Sequence, residues 1–167
     1  AWARAAWERS SGEPGAWFDH GLADRVVDLW PKYFTLTDDR FAGVPFRLNF
    51  WQEVIVRLLV GWQIPLEVID PNSGQKTILY ARLFKQLRLW VPRKNGKSEF
   101  LAALALYFWA LEGLRRGLGV CFARNEDQAR MVFDKMSDMI EYAPDALKKR
   151  ITIQKKYFWV QKLKAAF

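Results

Sequence analysis

Four consecutive residues, Asn95-Gly96-Lys97-Ser98, are of types that together handle phosphate. Glycine lets a backbone approach an anion closely, the lysine after it reaches outer phosphate oxygens, and a serine hydroxyl can ligate Mg²⁺. Arg93 and Lys94 stand just before them and add two cations. Such a loop works only at a particular junction. A strand must deliver the chain, a turn must expose successive backbone N–H groups, and a helix must start with its positive dipole end facing the same point. The flanking sequence has that order. Leu87, Leu89 and Val91 alternate at strand period, Pro92 stops the strand, and an apolar helix-forming run follows from Ser98 to Leu111. The strict phosphate-loop pattern asks for a glycine five residues before Gly96, where Val91 stands. On pattern alone, a solvated basic loop between an ordinary strand and helix is the competing reading.

The elements that would position this loop can be read outward from it. The Ser98–Leu111 run is apolar nearly all round, which places it inside the layers of a sheet, and Gly113 and Gly117 end it. Gly119 to Ala123 is a short continuous apolar run, as in a buried parallel strand. An α/β fold follows, with Gln86–Val91 and Gly119–Ala123 parallel in one sheet and the helix crossing over right-handed between them. Downstream, Asn125 to Gln128 has capping-box spacing, and Ala129, Val132, Phe133, Met136, Met139 and Ile140 form the buried face of a helix. Lys148, Lys149 and Arg150 close a short helix after Pro144, as a solvated end or a DNA contact. Ile151–Gln154 and Tyr157–Val160 read as a hairpin around Lys155-Lys156.

Upstream, Asp19 can cap a helix carrying Leu22, Val26, Leu29 and Trp30 as far as Pro31, and Phe34 to Pro45 is loop-like. Arg47 to Trp62 is helical, with Phe50, Trp51, Val54, Ile55, Leu58 and Leu59 as its apolar face. Asn49 and Gln52 have the spacing of a capping box. The Gln52 amide could instead offer a donor and an acceptor to the edge of an adenine. Gln63 to Gln75, with Pro65, Pro71 and Gly74, is expected as a connector with a tight turn, followed by a strand over Thr77–Tyr80.

Composition sets outer limits. The 167 residues suffice for a sizeable core, and 51% hydrophobic content with 9 tryptophans argues against disorder. A net charge of +8 suits a polyanionic partner. The lone Cys121 excludes an internal disulfide and a multi-cysteine metal site. No apolar run is long and charge-free enough to span a bilayer, and no secretory pattern opens the chain, so no membrane association is expected. The first residue is Ala1 rather than Met, as in a piece of a longer chain.

The stretch Val91 to Tyr107, VPRKNGKSEFLAALALY, resembles the variant Walker A segment of the large terminase subunit of tailed phages. That protein is the ATPase motor that packages DNA into procapsids. Its loop often carries Arg-Lys-Asn before Gly-Lys-Ser and lacks the first glycine, so Val91 fits the family. Two further stretches are similar. Phe46 through Trp51-Gln52 to Gly61-Trp62 looks like the family segment before the loop strand, and Arg124 to Met136, with Gln128-Ala129, looks like the following strand-to-helix junction.

The resemblance covers roughly Trp17 to Val160 and implies the front half of a motor domain with a P-loop NTPase-type parallel sheet flanked by helices. Residues 1–16 would be a lead and linker, 17–160 a partial ATPase domain, and 161–167 an unassigned tail. It implies ATP and Mg²⁺ as ligands: Arg93 or Lys94 as a phosphate-sensing cation, Asn95 and Gly96 in the loop, Lys97 as the phosphate lysine, Ser98 on Mg²⁺, and Gln52 on the adenine. Lys97 and Arg93 would be the catalytic pair, with Arg93 favoured over Lys94 for its two-pronged donor geometry. It further implies double-stranded DNA, a homo-oligomeric ring, a small terminase subunit and a portal as partners, in the cytoplasm of an infected or lysogenic bacterial host. No apolar run ending in Asp-Glu follows Ser98, so the acidic strand that holds Mg²⁺ and orients water, and the nuclease domain, are expected beyond this stretch, and the fragment alone is expected to be inactive. Two alternatives stand beside it: a P-loop helicase-like ATPase fragment, and a non-enzymatic basic domain that binds nucleic acid through phosphate contacts.

Overall fold

The computed structural model describes residues 2–71, 74–112, 118–154, 157–160 and 165–166. The chain divides into two compact units, Ala1–Trp30 with Leu48–Leu89, and Pro31–Arg47 with Trp90–Phe167. Each has its own small antiparallel sheet of three strands.

The first unit contains α1 (Trp2–Ser11), β1 (Trp17–Phe18), most of α2 (His20–Tyr33), α3 (Phe50–Gly61), β2 (Trp62–Ile69) and β3 (Lys76–Arg82). Asp19 caps α2 as expected, its Oδ1 accepting from the Leu22 N–H at 2.8 Å. The helix continues two residues past Pro31, a residue near its end that removes only a late backbone donor. Helix α3 begins with a complete capping box: Asn49 Oδ1 accepts from the Gln52 N–H at 3.2 Å, and Gln52 Oε1 accepts from the Asn49 N–H at 3.0 Å. This box sets the rotation of the helix. With Gln52 drawn inward, the steps of three and four bring Ile55, Val56, Leu59 and Val60 to the core, while Phe50 is left 85% exposed. The apolar face is therefore turned from the one the hydrophobic pattern suggested.

Strand β2 occupies much of the expected connector. It pairs antiparallel with β3 from Gln63↔Arg82 to Ile69↔Lys76, and the turn is closed by Gly74, at φ 67°, whose N–H donates to Asp70 O at 2.8 Å. Pro65 is tolerated because β1 pairs only with Trp62 and Gln63, so beyond them one edge of β2 needs no donor. Trp7, Phe18 and Trp62 then join α1 to the sheet, with ring centroids 4.7 to 5.6 Å apart.

The second unit is built on α4 (Lys97–Leu106) and α5 (Glu126–Tyr142), with α6 (Asp145–Lys148) and the strands β4 (Ile151–Ile153), β5 (Phe158–Val160) and β6 (Ala165–Ala166). Helix α4 runs into a wider π turn, Tyr107–Leu111, capped at Glu112, and the stop expected at Gly113 and Gly117 lies outside the described residues. Phe100, Leu106, Met136, Met139 and Leu147 are fully buried, which bears out the Met136, Met139 and Ile140 face of α5. Phe34 and Phe46 close the intervening loop by a backbone bond of 2.9 Å beside the Thr35↔Pro45 bridge. The predicted C-terminal hairpin is present, with Ile151 opposite Val160 and Ile153 opposite Phe158.

The expected parallel sheet is not seen among the described residues, where neither Gln86–Val91 nor Gly119–Ala123 is a paired strand. What the chain has is a mixed helix–strand fold with antiparallel pairing. Alternation and apolarity express a preference for extended backbone, but a buried parallel strand also needs neighbours and covered faces. Here Trp90 is 84% and Phe122 89% exposed, so these segments have no covering neighbours among the described residues.

Gly61 tests the packing of the first unit. A Cβ at this position would run into the ring of Phe18. Gly61→Ala should cost about 1–3 kcal/mol by overpacking and lower Tm by several degrees in a thermal melt, whereas an unchanged Tm would show that Phe18 moves freely.

Candidate functional site

The loop before α4 folds back on itself. Asn95 Nδ2 donates to Pro92 O and to Arg93 O, both at 3.3 Å, and Lys94 takes a left-handed backbone at φ 64°. A non-glycine residue there costs on the order of 1 kcal/mol, so the loop holds its shape against a local preference. Gly96 follows in the same region at φ 68°, ψ 19°, and is the N-cap of α4. It has no side chain to cap with. The first bond inside the helix is the Phe100 N–H to Gly96 O at 3.0 Å. The N–H groups of Lys97, Ser98 and Glu99 precede that bond and belong to the donors a helix leaves unspent at its start. Arg93, Lys94, Asn95, Gly96 and Lys97 are exposed and Ser98 is half-buried. The structure thus assembles five cationic or backbone-donor positions, 93, 94, 97, 98 and 99, around one helix start. Such a start attracts anions, because the dipole and the free donors point the same way.

Gln52 lies in the other unit. Its side-chain oxygen is held by the cap of α3, and the residue is buried.

A second set of residues was not singled out by pattern. Glu99, the third residue of α4, is buried, with its side chain 5% exposed. Its Oε1 accepts from the Thr37 N–H at 3.2 Å, the Thr37 hydroxyl at 2.7 Å and Lys135 Nζ at 2.9 Å. Its Oε2 is buried with no hydrogen-bond partner among the described residues. Lys135, from α5, also donates to Asp38 and to Thr37 Oγ1, the latter at 3.3 Å. Burial pulls the Lys135 ammonium down, but the bonds to Asp38 and Glu99 outweigh it and hold the group above its ordinary value. Its contribution to stability is therefore complete below pH 10.5 and is lost only as the pH rises beyond that. The acid was visible in the sequence only as a helix-start residue that suits the dipole, and nothing there showed that it turns inward.

Ser98 supplies one oxygen for a cation, and no group of three or more His, Cys, Asp or Glu side chains among the described residues could hold a metal.

The fold that carries this site is mixed α/β, with a glycine-initiated helix packed on a second helix beside short antiparallel strands. The solved structure it matches is that of the HK97 bacteriophage large terminase, with a TM-score of 0.62 over 86% of this chain, at 18% sequence identity. The terminase expectation thus holds at the level of fold. The chain spans 26% of that protein's length. No protein-family model and no curated protein matches the sequence. Among the described residues, no helix is long and apolar enough to cross a membrane.

Asp138 reports on the electrostatics around Lys135. Partial burial raises its carboxyl above the ordinary value, Glu141 and Asp134 raise it further, and Lys135 pulls it back. An acid raised in this way favours its neutral form, so ionisation weakens the fold once the pH passes the raised value. Asp138→Asn should stabilise the chain slightly at pH 7, by a few tenths of a kcal/mol as for like charges one helical turn apart. The gain should vanish below about pH 3, where both side chains are neutral. Paired melts at the two pH values check this, and a gain at pH 3 as large as at pH 7 would refute it.

Proposed function

We propose that this chain is the nucleotide-binding part of a DNA-packaging motor of the large-terminase kind. The observation that carries the reading is the helix start itself. Gly96 opens α4 in the left-handed region with no side chain to cap it, and Lys97 stands exposed at the first turn, where a helix leaves its N–H groups unspent. The shared fold with the HK97 terminase supports placing that loop in a motor rather than in an unrelated phosphate binder.

In this reading the backbone N–H groups at the start of α4 cradle the phosphates of ATP, and Lys97 neutralises the outer ones. Ser98 completes the shell of the Mg²⁺ that comes with the nucleotide. Arg93, or Lys94 beside it, binds the terminal phosphate, with Arg93 preferred because its planar fork grips two oxygens. Gln52 would read the adenine through the amide NH₂, its oxygen being engaged in the cap. The loop sits within a parallel P-loop sheet once the strands flanking 86–91 and 119–123 are in place. Hydrolysis and translocation belong to the whole motor: double-stranded DNA as substrate, a ring of copies, a small subunit and a portal, working in the bacterial host's cytoplasm. The contribution of these residues is positioning, which supplies most of the catalysis in phosphoryl transfer.

Lys97→Ala tests the core of this reading. The lysine is exposed, so its loss should leave the Tm without ligand unchanged. The parent should be stabilised by Mg·ATP, and the variant should lose that stabilisation, because only binding to the native state raises Tm. Equal shifts in parent and variant would move the site away from this loop. No shift in either would favour the non-enzymatic basic domain.

A further inference from the structure

Glu99 occupies an awkward place for an acid. In an ordinary helix, a glutamate three residues after the N-cap reaches back and caps the free N–H groups. Here that position lies in the first turn of the helix whose free donors form the candidate anion site. A carboxylate there would occupy those donors, and its charge would oppose any phosphate approaching within the same turn. The structure shows it doing neither. Thr37 takes Glu99 through both its N–H and its hydroxyl, and Lys135 supplies the opposite charge at 2.9 Å.

Stability alone is a poor reason for this arrangement. A buried ion pair seldom adds net stability over an apolar pair of similar size, and this one leaves Glu99 Oε2 buried without a hydrogen-bond partner among the described residues. We propose that Lys135, with Thr37, is a positioning residue for the nucleotide site: it holds Glu99 away from the start of α4 and offsets part of its charge, an ammonium it shares with Asp38, so that the N–H groups of Lys97, Ser98 and Glu99 stay open to phosphate. The inference rests on the nucleotide reading above. It deepens that reading by extending the site to α5 and to the 37–38 loop, neither of which touches the ligand.

The test is Mg·ATP titration by calorimetry on the 167-residue chain and three variants, each also melted without nucleotide. Lys135→Gln keeps a donor for Glu99 but removes the charge. It should weaken Mg·ATP binding about tenfold or more, equivalent to about 1.4 kcal/mol. Adding Glu99→Gln to it removes the offending charge as well, and the double variant should return to within about threefold of the parent. Glu99→Gln alone should also bind within about threefold of the parent, since Thr37 can still donate to its amide oxygen.

A merely structural role predicts a different pattern, in which affinity follows Tm across the series. Parent-like binding by Lys135→Gln would overturn the proposal. So would a double variant as weak as Lys135→Gln. A folded Glu99→Gln that loses tenfold or more would overturn it too, by showing that the carboxylate serves the ligand directly. If Lys135→Gln does not fold, Thr37→Val, which removes the hydroxyl donor to Glu99, carries the decision: it should weaken Mg·ATP binding with Glu99→Gln restoring it, and parent-like binding by folded Thr37→Val would overturn the proposal. A parent that gives no heat with Mg·ATP removes the nucleotide reading itself, a result distinct from any of these.

Discussion

The second unit is organised by the need to neutralise one buried carboxylate. An ionised Glu99 at 5% side-chain exposure would cost several kcal/mol if left unpaired, so its surroundings must bring donors to it. Two segments far apart in sequence answer that demand. The loop between Phe34 and Phe46 is pinched shut by its backbone bonds, with Gly43 at φ 81°, and this holds the Thr37 N–H and hydroxyl in place. Helix α5 must turn Lys135 toward α4. Once it does, Met136 and Met139, one and four residues on, fall on the buried side. The apolar core and the ion pair are thus set by the same helix rotation. Changing one would disturb the other.

The parts of this arrangement that were legible in the sequence are those determined by neighbours in the chain. Gly96 before Lys97-Ser98, Asn49 three residues before Gln52, and Asp19 before Leu22 each specify a helix start from within one turn, and all three starts are found. The hairpin around residues 155 and 156 was legible for the same reason, because the pairing partner lies a few residues away. What was not legible depends on distant partners. Leu87, Leu89 and Val91 alternate as a strand should, yet alternation says nothing about which neighbour accepts their backbone bonds, and the described residues include none. Strand β2 failed in the opposite direction. Pro65 argued against a strand, but the short reach of β1 leaves that edge unpaired and removes the objection. The Thr37–Glu99–Lys135 group spans almost a hundred residues and could not be seen locally.

The two helix starts at Asn49 and Gly96 show how one sequence pattern can have opposite outcomes. Both present an N-cap residue followed three positions later by a long side chain with acceptor oxygens, Gln52 in one case and Glu99 in the other. In α3 the cap residue has an acceptor and Gln52 has no competing donor stronger than the Asn49 N–H, so the box closes. In α4 the cap is glycine, which offers no side-chain acceptor, and Glu99 faces a hydroxyl, an N–H and an ammonium at once. Charge-assisted bonds are roughly twice as strong as neutral ones, so Lys135 and Thr37 win the side chain. The consequence reaches function through a simple exclusion. A helix start satisfied from within has nothing left for a ligand, and one whose own acid is bound elsewhere keeps its donors free. Helix α3 is therefore a structural element with a finished end, while the start of α4 keeps donors that its own acid does not use.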